Sequence, residues 1–327
     1  MSSKTVLGID IGYDQLKLAL VSDGRVMKTA VTQMPENLFK EGRFISAETM
    51  SSMIRQSMKE SGMKASQAAV VLPNELVYVK NVDVPMMTEE QLAYNLPFEF
   101  NDYITGEVDD YLFDYAVIDR DEENLHLLAV GVEKKVVEEI QLMVRKAGLK
   151  LVKTAPALCT YISLIRSQKE SLMQVSDEFC ILDLGYHAIT MYMYKLDQHI
   201  ATREFDIGLT SLDDILADKY GVDKHLAHTY LMKNFENCLE SEECTTFYDN
   251  IAVELMRAIN FYEFSNQGSS LGDVWVCGGG AANQVLIRTI DETLEAELHP
   301  AAELVHDGDK INQCYSFAQA IGVTLEI

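Results

Sequence analysis

One short pattern occurs twice in this sequence. From Ile9 the chain reads I-D-I-G-Y-D-Q-L-K-L-A-L, and from Leu182 it reads L-D-L-G-Y-H-A-I-T-M-Y-M. Asp10 matches Asp183, Gly12 matches Gly185 and Tyr13 matches Tyr186 at one constant offset. Apolar runs and turn residues around the first copy predict strands over residues 5–11, 16–21 and 25–31, the last two joined by Ser22-Asp23-Gly24. A helix capped by Ser46 follows, with Met50, Met53, Ile54 and Met58 on one face. Around the second copy the same reasoning gives strands over 179–184, 188–194 and 199–205, then a helix opening at Ser211 with Asp214 as its capping-box partner. The same three strands and helix in the same order predict a duplicated α/β domain. A chain of 327 residues is long enough for two such cores.

The stretch between the copies has a different character. Residues 77–84 read as a strand, Thr88-Glu89-Glu90-Gln91 is a capping box, and Pro97 stops or kinks the helix that it opens. Two strands are expected over 111–118 and 125–132. A helix over 133–147 then turns Val136, Val137, Ile140, Met143, Val144 and Ala147 inward, with Gly148 as its C-cap. This β-α-β-β-α block predicts a subdomain inserted into the first domain. Beyond the second copy come helices around 225–234 and 248–266. A buried strand over 273–277 follows, running into Gly278-Gly279-Gly280 and a helix over 283–297.

The Asp-x-Gly turns are where chemistry is expected. A glycine closing a buried strand lets backbone N–H groups approach a phosphate, and the carboxylate beside it can hold Mg²⁺ through water. A single such turn is as well explained by an Asp capping local amides. Two on matching halves, with a third glycine turn whose backbone can pack under an adenine, form a pattern for a nucleotide. Lys17, seven residues after Asp10, is either a phosphate contact or an exposed strand lysine.

The net charge of −24 opposes binding to nucleic acid or an anionic lipid surface and favours basic partner segments. The six cysteines are scattered with no CxxC pair, so neither a zinc site nor a disulfide framework is expected. The opening residues lack the apolar stretch of a signal peptide, and no uncharged run reaches the length of a membrane span. These features predict a protein of the reducing cytoplasm.

The order of the three glycine turns resembles the phosphate-1, phosphate-2 and adenosine loops of the actin/Hsp70-like superfamily. Over about 300 residues the chain is similar to its PilM family of type IV pilus assembly proteins. The resemblance is carried by Val84-Pro85-Met86-Met87-Thr88-Glu89-Glu90-Gln91-Leu92, by Asp114-Tyr115-Ala116-Val117 and by the run 127–132 with Ala147-Gly148-Leu149. Asn260-Phe261-Tyr262, Val276-Cys277-Gly278-Gly279-Gly280-Ala281 and the ending around Ala318-Gln319-Ala320-Ile321-Gly322 complete it.

This resemblance implies duplicated actin-like (ribonuclease H-like) domains with a cleft between them and an inserted α+β subdomain 1C. Subdomain 1A would span 1–78 plus 154–175, 1C 79–153, 2A 176–215 plus 268–327, and 2B 216–267. It implies a scaffold peripheral to the inner face of the plasma membrane, which binds the cytoplasmic N-terminal segment of a PilN-like membrane protein. Val79, Val82, Val84, Met86, Met87 and Leu92 would line the groove between subdomains 1A and 1C that receives this segment. It also implies a link to the pilus motor ATPase and self-association. An ATP site would take Asp10, Gly12, Lys17, Gly185, Thr190, Gly278, Gly279 and Gly280, with Asp10 and Asp183 on Mg²⁺ and Asp183 as the one candidate catalytic group. Both phosphate loops depart from the family pattern: Tyr13-Asp14 and Tyr186-His187 stand where Ser, Thr or Gly is usual. The alternative is an active ATPase or small-molecule kinase of the same superfamily.

Overall fold

Two five-stranded sheets with the same strand order form the frame of the chain. The computed structural model describes residues 5–35, 38–168, 177–266 and 268–325. It divides into two units, Met1–Thr160 with Gln319–Glu326, and Tyr161–Ala318. Residues 169–175, placed in subdomain 1A from sequence, lie outside the described residues.

In the first unit β1 (Thr5–Ile11), β2 (Gln15–Ser22) and β3 (Arg25–Gln33) form an antiparallel meander. Its second turn is the expected tight hairpin, with both Asp23 and Gly24 at positive φ. A small hairpin, β4 (Phe39–Lys40) with β5 (Arg43–Phe44), precedes helix α1 (Ala47–Ser61), which is capped by the Ser46 side chain and closed by left-handed Gly62. β6 (Gln67–Leu72) returns parallel to β1.

The chain then builds a separate antiparallel sheet from β7 (Val77–Pro85), β8 (Tyr111–Arg120) and β9 (Asn124–Glu133), with β9 central. Helix α2 (Glu89–Asn95) starts at the Thr88–Gln91 capping box, with both of its hydrogen bonds formed. α3 (Lys134–Lys146) and β10 (Lys150–Pro156) lead back, β10 pairing parallel with β6. The larger sheet therefore runs β10-β6-β1-β2-β3.

The small sheet has its own core of Val82, Val84, Leu92, Leu96, Phe100, Leu125, Leu127 and Ala129. α3, counted with the insert from sequence, instead buries Val136, Ile140, Met143 and Val144 among the side chains of β1, β2 and α1. Its amphipathic pattern announces a buried face but not which sheet receives it.

The second unit repeats the frame. After α4 (Ala157–Ser167), β11 (Glu178–Leu184), β12 (Ile189–Lys195) and β13 (Gln198–Phe205) form the second meander. Helices α5 (Thr210–Tyr220), α6 (Lys224–Lys233) and α7 (Glu242–Ser265) follow. β14 (Asp273–Cys277), α8 (Gln284–Thr293) and β15 (Glu297–Pro300) complete a sheet of order β13-β12-β11-β14-β15. Strand for strand this matches the first sheet, with β14 and β15 in the places of β6 and β10.

Two sequence expectations change here. α5 begins at Thr210 with no side-chain cap. The N–H groups of Leu209 and Thr210 donate to the carbonyls of Gly185 and Tyr186, so the loop after β11 does the capping. The helix expected over 283–297 ends at Thr293, because Glu297–Pro300 is drawn out as a strand parallel to β14. The short α9 (Ala318–Gly322) returns to the first unit, and a Cβ on Gly8 of β1 would lie 1.7 Å from the Ala320 carbonyl oxygen.

Candidate functional site

In the first unit Asp10 and Lys17 are partners in the β1–β2 ladder, with Lys17 Nζ 3.6 Å from Asp10 Oδ2. Burial pushes the Asp10 carboxyl above its ordinary range, and the Lys17 ammonium partly opposes that shift. Lys17 is thus an inward ion-pair partner, with its side chain 14% exposed, rather than a solvated strand lysine. Gly12 donates its N–H to the Gln15 carbonyl at 2.9 Å and closes the turn. Of the two unusual residues that follow, Asp14 accepts from the Gln33 side-chain amide. Tyr13 donates to Glu75 at 2.8 Å, accepts from the Gly42 N–H at 3.1 Å and meets the Phe39 ring edge-on at 5.0 Å. Burial, then Glu75, pushes its hydroxyl up to about 12.

The second unit keeps the plan with other chemistry. Asp183 faces Thr190 across β11–β12 and Cys277 across β11–β14. Asp183 Oδ2 accepts from the Tyr161 hydroxyl at 3.1 Å, and Thr190 is buried. Burial, then the Asp183 charge, holds the Tyr161 hydroxyl well above its ordinary value. Tyr186 donates to Asp213, which also meets His228 Nδ1 at 3.2 Å, and the tyrosine and histidine rings stand edge to face at 5.6 Å. Each Tyr hydroxyl is therefore held by a carboxylate of its own unit.

The glycines differ in what requires them. Gly278 has φ +84, and a Cβ there would lie 2.4 Å from Asp183 Oδ1. A Cβ on Gly185 would lie 2.4 Å from the Ala188 carbonyl oxygen, and one on Gly280 would lie 2.7 Å from the Leu184 Cβ. These three are glycines because backbone and side chains already fill the space. A Cβ on Gly279 would meet nothing within 4 Å, so Gly279 is the open member of the triplet. Asp183, Gly185 and Gly278–Gly280 thus gather at the carboxyl ends of β11 and β14, and Asp10 and Gly12 at the corresponding end of β1. Strand ends of this kind receive ligands in α/β sheets. Neither Ser nor Thr follows Gly12 or Gly185, and the Tyr13 and Tyr186 hydroxyls that do are given to Glu75 and Asp213.

The residues expected to bind a peptide separate by strand parity. Val82 and Val84 point into the small core with Leu92. Val79 lies an odd number of residues away and is on the opposite face. Met86 is 50% exposed beyond the strand end, and Met87 is half-buried against the small core. The second face is completed by residues that sequence reasoning missed: Val130 pairs with Val79 and Asp114, Leu128 with Asn81 and Ala116, and Leu112 with Val132. Leu112 is 42% exposed and Val79, Ala116 and Val130 are half-buried, so this face presents partly open apolar side chains, interrupted by exposed Asn81 and Asp114. The signal was present in Leu127-Leu128-Ala129-Val130, an apolar run without alternation, which marks a strand with two apolar faces.

Duplicated units of this topology, each with an Asp-x-Gly turn at the end of its first strand, define a protein of the actin-like ATPase fold. A chain of the PilM-PilN type IV pilus biogenesis complex is similar with TM-score 0.82 at 19% identity, over 97% of each chain. The ethanolamine utilization protein EutJ from Carboxydothermus hydrogenoformans is similar with TM-score 0.64 at 15% identity, over 99% of this chain and 90% of its own. MreB5 of Spiroplasma citri bound to ADP gives TM-score 0.51 at 9% identity, over 98% and 95%. The family model for the type IV pilus assembly protein PilM matches residues 8–312, and the chain belongs to that family.

Proposed function

We propose that this chain is a cytoplasmic scaffold of type IV pilus assembly that binds the N-terminal cytoplasmic segment of a PilN-like membrane protein. The observation that carries this reading is the second face of the small sheet, where Val79, Leu112, Ala116 and Val130 offer partly open apolar side chains beside exposed Asp114, inside a strongly acidic chain. A short segment that is partly apolar and flanked by basic residues suits such a receiver in both respects. Membrane attachment would come through that partner. Among the described residues no helix is long and apolar enough to cross a membrane. The scaffold would pass the partner's state to the pilus motor ATPase and to further copies of itself.

The test is calorimetric titration of the chain with a peptide of the PilN-like N-terminal segment. Saturable binding that weakens with rising salt supports the reading, and absence of binding removes it.

The paired Asp-x-Gly turns and the open Gly279 favour a second reading, a nucleotide. Asp10 and Asp183 would hold Mg²⁺ through water, Lys17 and Thr190 would stand behind the two turns, and Gly278–Gly280 would take the adenosine. When bound, the metal would neutralise phosphate charge. Titration with Mg-ATP tests this separately: saturable heat supports a nucleotide role, and no heat leaves the turns with packing alone.

A further inference from the structure

A second cluster lies at the opposite end of the second sheet from its glycine turns. Asp273 opens β14 and Glu297 opens β15, and the two are partners in that parallel ladder. Trp275 and His299, two residues on, are partners as well. Side chains two apart on a strand share a face, so Asp273, Trp275, Glu297 and His299 stand together on one side of the sheet. One donor atom each from Asp273, Glu297 and His299 lies within 4.8 Å of the others. His299 Nε2 is 2.8 Å from Asp273 Oδ1, and both side chains are largely buried. The other ring nitrogen, Nδ1, is 3.6 Å from Glu303 Oε2 on the turn after β15. The imidazole is stacked on Trp275, with centroids 4.7 Å apart and planes at 21°.

We infer that Asp273, Glu297 and His299 form a binding site for a divalent transition-metal ion of the Zn²⁺ class. One imidazole and two carboxylates make a mixed nitrogen and oxygen donor set. Zn²⁺, Co²⁺ and Ni²⁺ accept such a set, whereas Mg²⁺ and Ca²⁺ favour oxygen alone. Ligand atoms about 2.1 Å from a tetrahedral ion lie roughly 3.4 Å apart, so the Asp273–His299 pair need open by only about half an ångström.

A simple ion pair accounts for Asp273 and His299 but not for the groups around them. Metal-bound histidines present their second ring nitrogen to a carboxylate, which fixes the tautomer and ring direction. Glu303 Oε2 stands on that side of the ring, 3.6 Å from Nδ1 and within a small side-chain adjustment of a hydrogen bond, and stacking on Trp275 holds the ring plane. Glu297 brings a third donor from the neighbouring strand. The parallel ladder fixes the backbones of both strands, so the cluster is organised by the fold before any ion arrives.

Trp275 is the single tryptophan of the chain, and its emission therefore reports on the site. The experiment titrates chelator-treated, tag-free protein without nucleotide, using Ni²⁺ and Co²⁺ as fluorescence quenchers and Zn²⁺ in a calorimeter. The expected result is quenching that saturates at one ion per chain in the micromolar range. Glu297→Gln replaces an exposed donor outside the core and should weaken binding at least about tenfold, with the melting temperature of the metal-free protein unchanged. Quenching that rises linearly to millimolar metal overturns the assignment, and so does saturable quenching that Glu297→Gln leaves intact.

Discussion

Asp10 sits opposite Lys17 in the first meander, their side chains in ion-pair contact at 3.6 Å, whereas the same position beside Asp183 in the second meander holds the uncharged Thr190. The two turns therefore share a backbone plan and differ in charge. A carboxylate kept this far from water depends on its cation. Lys17→Met should lower unfolding free energy by about 2 kcal/mol in urea denaturation, and adding Asp10→Asn should restore most of it. A single substitution without measurable cost would show that the pair contributes nothing to stability.

The glycine triplet makes a contrast available within three residues. Gly278→Ala places a side chain at positive φ and against Asp183 Oδ1, and should cost about 2 kcal/mol or more. Gly279→Ala meets open space and should change thermal stability by less than about 0.5 kcal/mol. If Mg-ATP binds, the second variant is the one to lose affinity while remaining folded. Equal melting temperatures for the two variants would contradict the packing described for Gly278.

On the small sheet, substitutions on the two faces should be separable. Leu112→Asp, on the open face, should weaken a PilN-like peptide by about tenfold or more with little change in melting temperature. Val82→Ala, on the core face, should cost about 2 kcal/mol of stability and leave the peptide affinity of the folded fraction as it was. The pair is read by peptide titration alongside denaturation.

Acid should act through a histidine of β13. Burial holds the half-buried His199 imidazole down to about 4 from its ordinary 6.5. Below pH 6.5 the unfolded chain takes up a proton that the folded chain refuses until about 4. The stability tied to this group is therefore complete above 6.5 and is lost as pH falls toward 4, by about 3 kcal/mol. Urea midpoints measured across that range should fall for the native sequence and flatten for His199→Gln.

Much of the frame was legible because its signals are local. The matched Asp-x-Gly turns, the Ser22-Asp23-Gly24 hairpin, the Ser46 cap and the Thr88–Gln91 box each depend on residues adjacent in sequence. What sequence missed depends on distant partners. Nothing near Gly8 announces that Ala320 lies against it, and nothing near Leu209 shows that the carbonyls of Gly185 and Tyr186 cap the helix there. The candidate site was legible in position more than in chemistry. Asp10, Gly12, Asp183 and Gly278 occupy the strand ends expected of them, yet sequence alone did not show that Tyr13 is held by Glu75 or Tyr186 by Asp213. The expected peptide set spans two faces of β7, since Val79 differs in strand parity from Val82 and Val84.

The small sheet leaves Leu112 and its neighbours open at a strand edge, a surface able to stick to other copies of the chain before any partner arrives. The net charge of −24 supplies the counterweight, because like molecules repel over distances that this patch cannot bridge. That repulsion fades beyond about 8 Å in physiological salt and shrinks further in brine. Shelf life in the test tube therefore depends on the buffer.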